Sequence, residues 1–213
     1  MGRGKLTYIK LLQTYHMNAH RPLLLKGEKV GIGPLMKEDA KRLFELVNNL
    51  EITQYLSNGL FRRIATLEGE EKFIEDAYKG KWTFAVVELE KMKLIGLVEL
   101  RPEEIDAVNA ELAVAIFAKD YLGKGYGSEA IILALDYGFN VLGFSNIWLK
   151  VFEFNKRAIR AYEKIGFKFV GRIRRARFRA GRFWDVLIYD MLAEEFNEMH
   201  ESRVKELCKG LYL

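Results

Sequence analysis

Cysteine and histidine are scarce in this chain, and their scarcity excludes two kinds of site. Cys208 is the single cysteine, so neither an intramolecular disulfide nor a cysteine metal cluster can form. His16 and His20 are four residues apart, a spacing that suits a metal on a helix face, but no acidic residue or cysteine accompanies them. We therefore expect no metal site and interpret the pair as solvated.

Long hydrophobic runs are also missing. No segment is long enough to span a bilayer, and the N-terminus does not have the pattern of a signal peptide. We expect a soluble cytoplasmic protein without a membrane partner. The 213 residues, 50% of them hydrophobic, suffice for one well-packed domain, and the formal charge of +5 suits an anionic ligand while leaving nucleic acid open.

The most informative stretch runs from Glu111 to Ile131. Its first half, Leu112 to Ala118, is an unbroken apolar run that predicts a strand buried on both faces. Its second half predicts a helix over Ser128 to Phe139, with apolar residues at helical spacing: Ala130, Ile131, Ala134, Leu135 and Phe139. The turn between them is rich in glycine. Such a turn leaves free backbone N–H groups at a helix N-terminus, which is a place that binds phosphate.

The spacing of the glycines does not identify the phosphate ligand. It differs from GxxxxGK[ST], and position 128 is Ser, so the dinucleotide spacing GxGxxG is missed as well. Taken alone, Gly123, Gly125 and Gly127 fit a helix entry without any ligand equally well.

A second strand-to-helix turn lies in Val151 to Phe169. The strand predicted over Ile147 to Phe154 leads to Asn155, a good N-cap, and a helix over Lys156 to Lys164 ends at the C-cap Gly166.

Together the two turns resemble those of the acetyl-CoA-dependent GNAT N-acetyltransferases. Gly123 to Gly127, GKGYG, is similar to their pyrophosphate loop. The family signature NxxAxxxYxKxGF is matched by Asn155, Ala158, Tyr162, Lys164, Gly166 and Phe167. Arg177 to Leu192 is similar to the closing hairpin of the branch that acetylates ribosomal-protein N-termini and spermidine. The resemblance covers roughly residues 27–192.

The resemblance implies an α+β fold, an α/β/α sandwich with a central mixed, mostly antiparallel, splayed sheet flanked by helices. Residues 1–26 would be an N-terminal extension, 27–192 the acetyltransferase domain and 193–213 a C-terminal helix. In the family, the strands that carry Ala115 and Lys150 splay apart, and acetyl-CoA enters between them.

Apolar spacing predicts several further elements. Helices are predicted over Glu38 to Asn48 and Glu68 to Tyr78, and a hairpin over Trp82 to Glu88 and Leu94 to Leu100. Leu6 to Met17 fits a short amphipathic helix. An amphipathic tail helix is predicted over Glu194 to Leu211, packed either on the domain or on a second copy of the chain, which would make a homodimer.

The resemblance also implies direct transfer of acetyl from acetyl-CoA, as cosubstrate, to an amine. The N–H groups that would hold the pyrophosphate belong to Leu122, Gly123, Lys124, Gly125, Tyr126, Gly127 and Ser128. The pantetheine would pair with the backbone of Ile116, Phe117 and Ala118, and an N–H near Ile116 or Phe117 would bind the oxyanion. Asn155, Ala158, Tyr162 and Lys164 complete the expected cofactor contacts. Leu122 departs from the Arg, Gln or Trp frequent before the first loop glycine, which puts one side-chain contact in doubt.

Proton transfer needs an acid and a base. Tyr162 matches the family tyrosine and is our candidate acid, since a phenol is protonated at neutral pH; its alternative role is packing beside Ile159 and Phe167. Some N-terminal acetyltransferases carry a Glu where this chain has Lys150, so that base is absent. Glu111 is our candidate base and Glu99 the alternative; either could equally be an ordinary strand-end carboxylate.

The acceptor is left open by the sequence. Tyr55, Leu56, Phe61 and Arg62 lie where the family has a wall of the acceptor pocket, although they fit the core equally well. A polyamine prefers an acidic lining, which one helix could supply through Glu68, Glu70, Glu71, Glu75 and Asp76. Asp185 matches an Asp common in this branch, with a structural or an amine-orienting role.

Arginines cluster on the last hairpin: Arg172, Arg174, Arg175, Arg177, Arg179 and Arg182. They form either a solvated face or a contact with RNA or the ribosome, and they argue against a polyamine. The chain is therefore interpreted as an N-acetyltransferase acting on a protein N-terminal α-amine or a small amine. The alternative is a catalytically weak GNAT-fold module that binds RNA or the ribosome.

Overall fold

The computed structural model describes residues 21–56, 64–77, 79, 81–104 and 108–211. Its strands are β1 (Leu25–Lys26), β2 (Val30–Gly33), β3 (Trp82–Glu88), β4 (Lys93–Pro102), β5 (Asn109–Ile116), β6 (Asn146–Phe152), β7 (Lys168–Arg179) and β8 (Arg182–Leu192). They form one sheet in the order β1-β2-β3-β4-β5-β6-β8-β7. The predicted hairpin is present as β3 and β4, with Trp82 opposite Leu100.

The helices lie between these strands and after them. They are α1 (Asp39–Val47), α2 (Leu50–Thr53), α3 (Leu67–Asp76), α4 (Tyr126–Asn140), α5 (Lys156–Ile165), α6 (Ala193–Met199) and α7 (Arg203–Leu207), with 3₁₀ turns at Lys119–Tyr121 and Lys209–Leu211. None of the described helices is both long and apolar enough to cross a bilayer.

One parallel pair interrupts an otherwise antiparallel sheet. β5 and β6 run parallel and pair only where Asn109 to Glu111 lie beside Asn146 to Trp148. Beyond that point β5 stays paired with β4 as far as Ile116, and β6 stays paired with β8 as far as Phe152. The two strands therefore separate toward their C-terminal ends. This geometry confirms the predicted mixed α+β fold with a splayed, mostly antiparallel sheet.

Helix α4 packs on the sheet through the face that the sequence predicts. Ala130, Ile131, Ala134, Leu135 and Phe139 are all buried in the core. Gly138 also faces inward, where a Cβ would lie 2.7 Å from Ile147 and 3.0 Å from Leu100. The close approach of α4 to the sheet fixes the direction of its N-terminus, which follows the end of β5.

The sheet extends further toward the N-terminus than the sequence predicts. Leu25 is buried and pairs with Ile32, so β1 belongs to the sheet although residues 1–26 are predicted to be an extension. Arg21 is anchored as well, because its guanidinium binds the Asp39 carboxylate at 2.6 Å. The boundary of the folded part therefore lies at or before residue 21. The helix predicted over Leu6 to Met17 lies outside the described residues, as do His16 and His20.

The prediction of one tail helix over Glu194 to Leu211 is wrong. Helix α6 ends at Met199, His200 is extended, and Ser202 caps the separate helix α7. The break has a polar cause. Asp136, buried on α4, accepts hydrogen bonds from the Ser202 hydroxyl at 2.5 Å and from the Val204 N–H at 3.0 Å. A continuous helix could not offer its Val204 N–H to a side chain, because that group would bond within the helix.

Candidate active site

A cleft of about 810 Å³ occupies the space where β5 and β6 separate. Its strand walls are formed by Leu97, Glu99, Arg101, Leu112, Ala113, Val114, Ala115, Ile116, Lys150 and Val151. The turn after β5 closes one end, helix α5 closes one side, and residues of α1 to α3 close the other. The missing hydrogen bonds between β5 and β6 thus create the opening.

The glycine-rich turn lies at the N-terminus of α4, at one end of this cleft. Gly123 and Gly125 have φ of 72° and 89°, a left-handed conformation that favours glycine. The first helical bond of α4 runs from the Glu129 N–H to Gly125, so the N–H groups of Tyr126, Gly127 and Ser128 precede the ladder. The Leu122 N–H is bound to Lys119 instead, and it is not available to a ligand. The remaining free N–H groups and the helix dipole suit an anion such as a pyrophosphate.

Not every predicted loop residue lines the cleft. Leu122, Gly123, Gly125, Gly127 and Ser128 do. Lys124 and Tyr126 are not among the described residues that line the cleft; the Tyr126 ring packs edge-on against Tyr121 at 5.0 Å.

Lys29 lies beside this turn and was not predicted from the sequence. Its ammonium donates to the Lys124 carbonyl at 3.2 Å and would lie 3.6 Å from a Cβ at Gly125. The turn that carries it is fixed by Glu129 of α4, whose carboxylate accepts from the N–H groups of Glu28 and Lys29. Gly27 permits this contact, because any Cβ there would collide with the Glu129 carboxylate. Lys29 is thus placed to add a positive charge to an anion site, and no local motif signals a partner 95 residues away.

Helix α5 brings the signature residues to the opposite wall. Asn155 is buried and caps the helix, accepting from the Ala158 N–H at 3.3 Å. Asn155, Ala158, Tyr162 and Lys164 all line the cleft, as do Arg157 and Arg160 of the same helix. The four signature positions are therefore brought together on one surface, with Gly166 ending the helix at φ 113°.

Tyr162 is the buried phenol of the cleft. Burial raises its pKa from about 10 to about 12, because the charged phenolate would lose its hydration. Its ring packs against Phe167 at 5.9 Å, and no described residue forms a hydrogen bond to its hydroxyl. The hydroxyl is therefore protonated at neutral pH and free to donate to a ligand in the cleft.

The end of β5 offers fewer backbone groups than the sequence predicts. The N–H groups of Phe117 and Ala118 both donate to the Ile95 carbonyl, at 2.9 and 3.2 Å, so neither can bind pantetheine or an oxyanion. Successive N–H groups of a strand point to opposite edges, and that of Ile116 therefore points away from β4, toward β6. Ile116 and Phe117 line the cleft, whereas Ala118 is not part of its described wall.

The two candidate carboxylates have different positions. Glu99 lines the cleft and is buried. It forms ion pairs with Lys81, at 3.1 Å, and with Arg101. Glu111 does not belong to the described cleft wall, and its carboxylate lies 3.8 Å from the Lys150 ammonium, which does line the cleft. The structure therefore brings Glu99, rather than Glu111, into the cleft.

One side of the cleft is where the resemblance predicts the acceptor, and we call it the acceptor side. It combines aromatic and charged residues. Tyr55 and Leu56 line it as predicted, and Phe61 and Arg62 lie outside the described residues. Of the acidic residues of α3 only Glu70, which is buried, lines the described wall, together with Phe73 of the same helix. Three further residues that line the cleft were not predicted: Lys81, Arg101 and Phe73. Strand alternation puts Lys81 and Arg101 on the same face of the sheet as Glu99, but only the pairing of β3 with β4 shows that they meet.

Asp185 has a structural position. Its carboxylate accepts from the Arg175 N–H at 2.8 Å and from the Arg172 guanidinium at 3.2 Å. It thereby holds the bulge in β7 between Ile173 and Arg177, where Arg175 has φ 51°. Asp185 is not among the described residues that line the cleft.

Comparison with known proteins identifies this arrangement. Residues 29–168 match the family described as acetyltransferase (GNAT) domain. The chain is 31% identical to the spermidine N(1)-acetyltransferase of Escherichia coli (strain K12) over 186 residues, 86% of this chain and 96% of that protein. It is 29% identical to the human alpha/beta-tubulin-N-acetyltransferase 9 over 168 residues, 71% of this chain and 78% of that protein.

A solved structure extends the likeness to the fold. The crystal structure of spermidine N-acetyltransferase from Vibrio cholerae in complex with CoA and spermine superposes with a TM-score of 0.71 at 28% identity, covering 80% of this chain and 99% of that one. The family match runs through the turn after β5 and the turn after β6, the two elements that enclose the cleft. The chain therefore belongs to the GNAT acetyltransferases, a family of acyltransferases.

Proposed function

We propose that this chain transfers the acetyl group of acetyl-CoA directly to a primary amine bound in the cleft. The observation that carries the proposal is the position of Tyr162. Its buried, protonated hydroxyl and the free N–H groups before α4 line the same cleft, about 810 Å³ in volume. Acetyl-CoA supplies a thioester, in which the acetyl carbon is open to attack by an amine.

The residues of the chain would divide the work as follows. The N–H groups from Gly123 to Ser128, with Lys29 beside them, hold the pyrophosphate. The Ile116 N–H binds the oxygen on which negative charge develops. Tyr162 gives its proton, or a strong hydrogen bond, to the departing sulfur.

The amine must lose a proton in the same reaction. Glu99 is the carboxylate in the cleft wall, and we propose that it orients the amine and receives its proton through water. Its pairing with Lys81 and Arg101 fixes the direction of its carboxylate. Glu111, the first choice from the sequence, stays a candidate only through Lys150, its neighbour at 3.8 Å.

A polyamine is the first acceptor that we propose. Two relatives are named for spermidine, and one of them was solved with spermine. Glu70 and Glu99 provide carboxylates on the acceptor side of this cleft, which suit the ammonium groups of such a ligand.

A protein N-terminal α-amine is the second candidate, favoured by a separate observation. Lys81 and Arg101 flank Glu99, so the net charge on the acceptor side is much less negative than a polycation would prefer. The human relative is named for acetylation of tubulin, a protein acceptor.

The test is release of free thiol from acetyl-CoA in the presence of different acceptors. The panel contains spermidine, spermine, a monoamine of similar length, and peptides that begin with Ser, Ala, Thr or Met. We expect turnover with spermidine and spermine above that with the monoamine. Turnover with peptides alone would select the second acceptor. Absence of turnover together with absence of coenzyme A binding would overturn the proposed reaction.

A further inference from the structure

The hairpin formed by β7 and β8 projects beyond the rest of the sheet. β6 pairs with β8 only as far as Val186, so residues 182–185 have β7 as their sole strand partner in the described sheet. The hairpin ends in a two-residue turn, Ala180-Gly181, with φ of 47° and 80° at its two positions. Such a turn is narrow, and exposed side chains of both strands, among them Arg177, Phe178, Arg182 and Phe183, flank it. We call residues 172–185 the arginine hairpin.

The arginine hairpin carries the whole net charge of the chain. It contains six arginines and Asp185, a formal charge of +5, and the entire chain also has +5. The chain has 34 basic and 29 acidic residues, so without the six arginines and Asp185 the rest of it has 28 of each and no net charge. The excess of positive over negative charge therefore comes from one projecting element.

Most of this charge is not used by the fold. Asp185 binds Arg172, and Arg179 is buried over Phe152. Arg174, Arg175, Arg177 and Arg182 are exposed, and none of them forms an ion pair with a carboxylate of the described residues. These four guanidinium groups are free to meet an external anion.

Exposed aromatic rings stand between these arginines. Phe178 and Phe183 pack edge-on at 5.3 Å, and they are 47% and 51% exposed. The Arg175 guanidinium lies 4.7 Å above the Phe183 ring, and that of Arg182 lies 3.4 Å above the Trp184 ring. Stacking on a ring holds each flat guanidinium in a fixed direction.

Arginines that alternate with half-exposed aromatic rings suit a polyanion whose own rings are unstacked. We propose that the arginine hairpin binds a single-stranded polynucleotide, with phosphates on the free arginines and bases stacked on Phe178 and Phe183. A second copy of this chain is a poorer occupant, because antiparallel pairing of two β7 strands would place arginines opposite arginines. An acidic peptide would satisfy the charges but would leave the aromatic faces without flat partners.

The position of the hairpin relates this surface to the cleft. Trp184 packs against Phe154 at 4.8 Å, Phe154 packs against Tyr55 at 6.0 Å, and Tyr55 lines the cleft. A bound strand would therefore lie beside the acceptor side of the cleft. The binding itself does not depend on acetyl transfer and can be measured without acetyl-CoA.

The test is fluorescence anisotropy of a labelled oligouridylate of about 12 nucleotides, a typical site size for such surfaces, over a range of salt concentrations. An oligothymidylate of equal length distinguishes RNA from DNA as the source of the strand. A polyglutamate peptide and a paired duplex carry negative charge without unstacked bases, so they test whether charge alone explains the binding. Three variants are compared with the wild type: Arg177→Gln with Arg182→Gln, Phe183→Leu, and the control Lys41→Gln with Lys91→Gln, which removes two exposed charges elsewhere.

We expect the double arginine variant to bind the oligouridylate at least tenfold more weakly. Its salt dependence should fall by about 1.4 in log–log slope, since each phosphate contact on a single strand contributes about 0.7. Phe183→Leu should weaken binding of the single strand roughly tenfold and leave binding of polyglutamate unchanged. The control should match the wild type.

Four outcomes would overturn the proposal. The first is that neither oligonucleotide binds, and the second is that the control and the arginine variant lose equal affinity for the oligouridylate. The third is that polyglutamate binds as tightly as the single strand. The fourth is a change in mass showing that the arginine variant dissociates a dimer. The third would assign the surface to an acidic protein, and the fourth to a contact between copies. Thermal unfolding of each variant verifies that it is folded.

Discussion

Burial alone raises the pKa of Tyr162. The phenol sits against Phe167 without a hydrogen-bond partner among the described residues, and burial raises its pKa to about 12. A raised pKa makes Tyr162 a weaker acid than a free tyrosine. The leaving thiolate would form in the same poorly hydrated cleft, and its own pKa would rise for the same reason. Burial would therefore shift both pKa values in the same direction.

Replacing Tyr162 by Phe should remove the donated proton and keep the shape. We expect kcat to fall about 100-fold or more, within the range of general acid catalysis, while the Kd for coenzyme A changes little. Tyr189→Phe is the matched control, since the Tyr189 hydroxyl donates to Glu163 at 3.0 Å and lies outside the described cleft wall. Equal kcat values for wild type and Tyr162→Phe would refute the assignment of the acid.

The pKa of Tyr162 also predicts the alkaline limb of the pH profile. The protonated phenol is the active form, so its contribution is complete at lower pH and is lost only as the pH rises through about 12. We expect kcat of the wild type to show no decline with an apparent pKa near 10, the value of a free tyrosine. The measurement is kcat at saturating substrate up to about pH 10.5. A decline near 10 that disappears in Tyr162→Phe would contradict burial as the controlling effect.

Lys29 provides a test of the anion site at the turn before α4. Lys29→Met removes the ammonium that lies 3.2 Å from the Lys124 carbonyl but keeps a long side chain. We expect coenzyme A to bind about 5–20-fold more weakly, as for the loss of one charge-assisted contact. Calorimetry with Lys37→Met, an exposed lysine outside the described cleft wall, gives the control. Similar affinities for both variants would place the phosphates away from Lys29.

At the scale of elements, the tail shows how a polar group divides a helix. Apolar spacing over Glu194 to Leu211 fits one helix, yet α6 and α7 are separate because Asp136 binds the N-terminal end of α7. The same carboxylate accepts from the Asn140 amide at 2.8 Å. One buried charge thus receives three hydrogen bonds, which compensates for its removal from water.

Asp136→Asn should therefore destabilise the protein through the tail. An amide has one acceptor oxygen, so at least one of the three donors loses its partner. We expect the free energy of unfolding to fall by about 1–3 kcal/mol, measured by urea denaturation. Asp76→Asn is the control, because Asp76 is paired with the exposed Lys79, and its loss should change stability by less than about 0.5 kcal/mol. An unchanged midpoint for Asp136→Asn would mean that the tail contributes no stability through this contact.

At the scale of the whole molecule, the site exists because two neighbouring strands stop pairing. Tyr162 and Lys164 reach the cleft from the helix after β6, and the glycine-rich turn reaches it at the start of the helix after β5. Both turns lie at the diverging ends of the strands, so one ligand can touch both.

Coenzyme A should therefore stabilise the entire fold. At a concentration about 100 times its Kd, a ligand specific for the folded state adds about 2.7 kcal/mol. For a chain of 213 residues this corresponds to a rise in Tm of about 5–10 °C. Pantetheine, which lacks the phosphates, should give a much smaller shift in a thermal scan. Equal shifts with both ligands would exclude the turn before α4 as the anchor of the cofactor.

The sequence predicted the site residues unevenly, for reasons that depend on distance along the chain. The caps Asn155 and Gly166 and the buried face of α4 are signals within one turn or one helix, and the structure has them as predicted. The engaged N–H groups of Phe117 and Ala118 were not predicted, because their acceptor, the Ile95 carbonyl, belongs to a different strand.

By itself, the sequence determined the type and order of most elements, the family, and the two turns that enclose the cleft, since hydrophobic period, glycine and capping residues act locally. Only the tertiary structure decided which charges meet there. It brought the Lys29 ammonium to the Lys124 carbonyl and Glu99 to Lys81 and, outside the described cleft wall, Asp136 to Ser202 and Val204. The physical reason is that these contacts follow from strand register and from helices docking on the sheet, which join residues far apart in the chain and leave no periodic pattern in it.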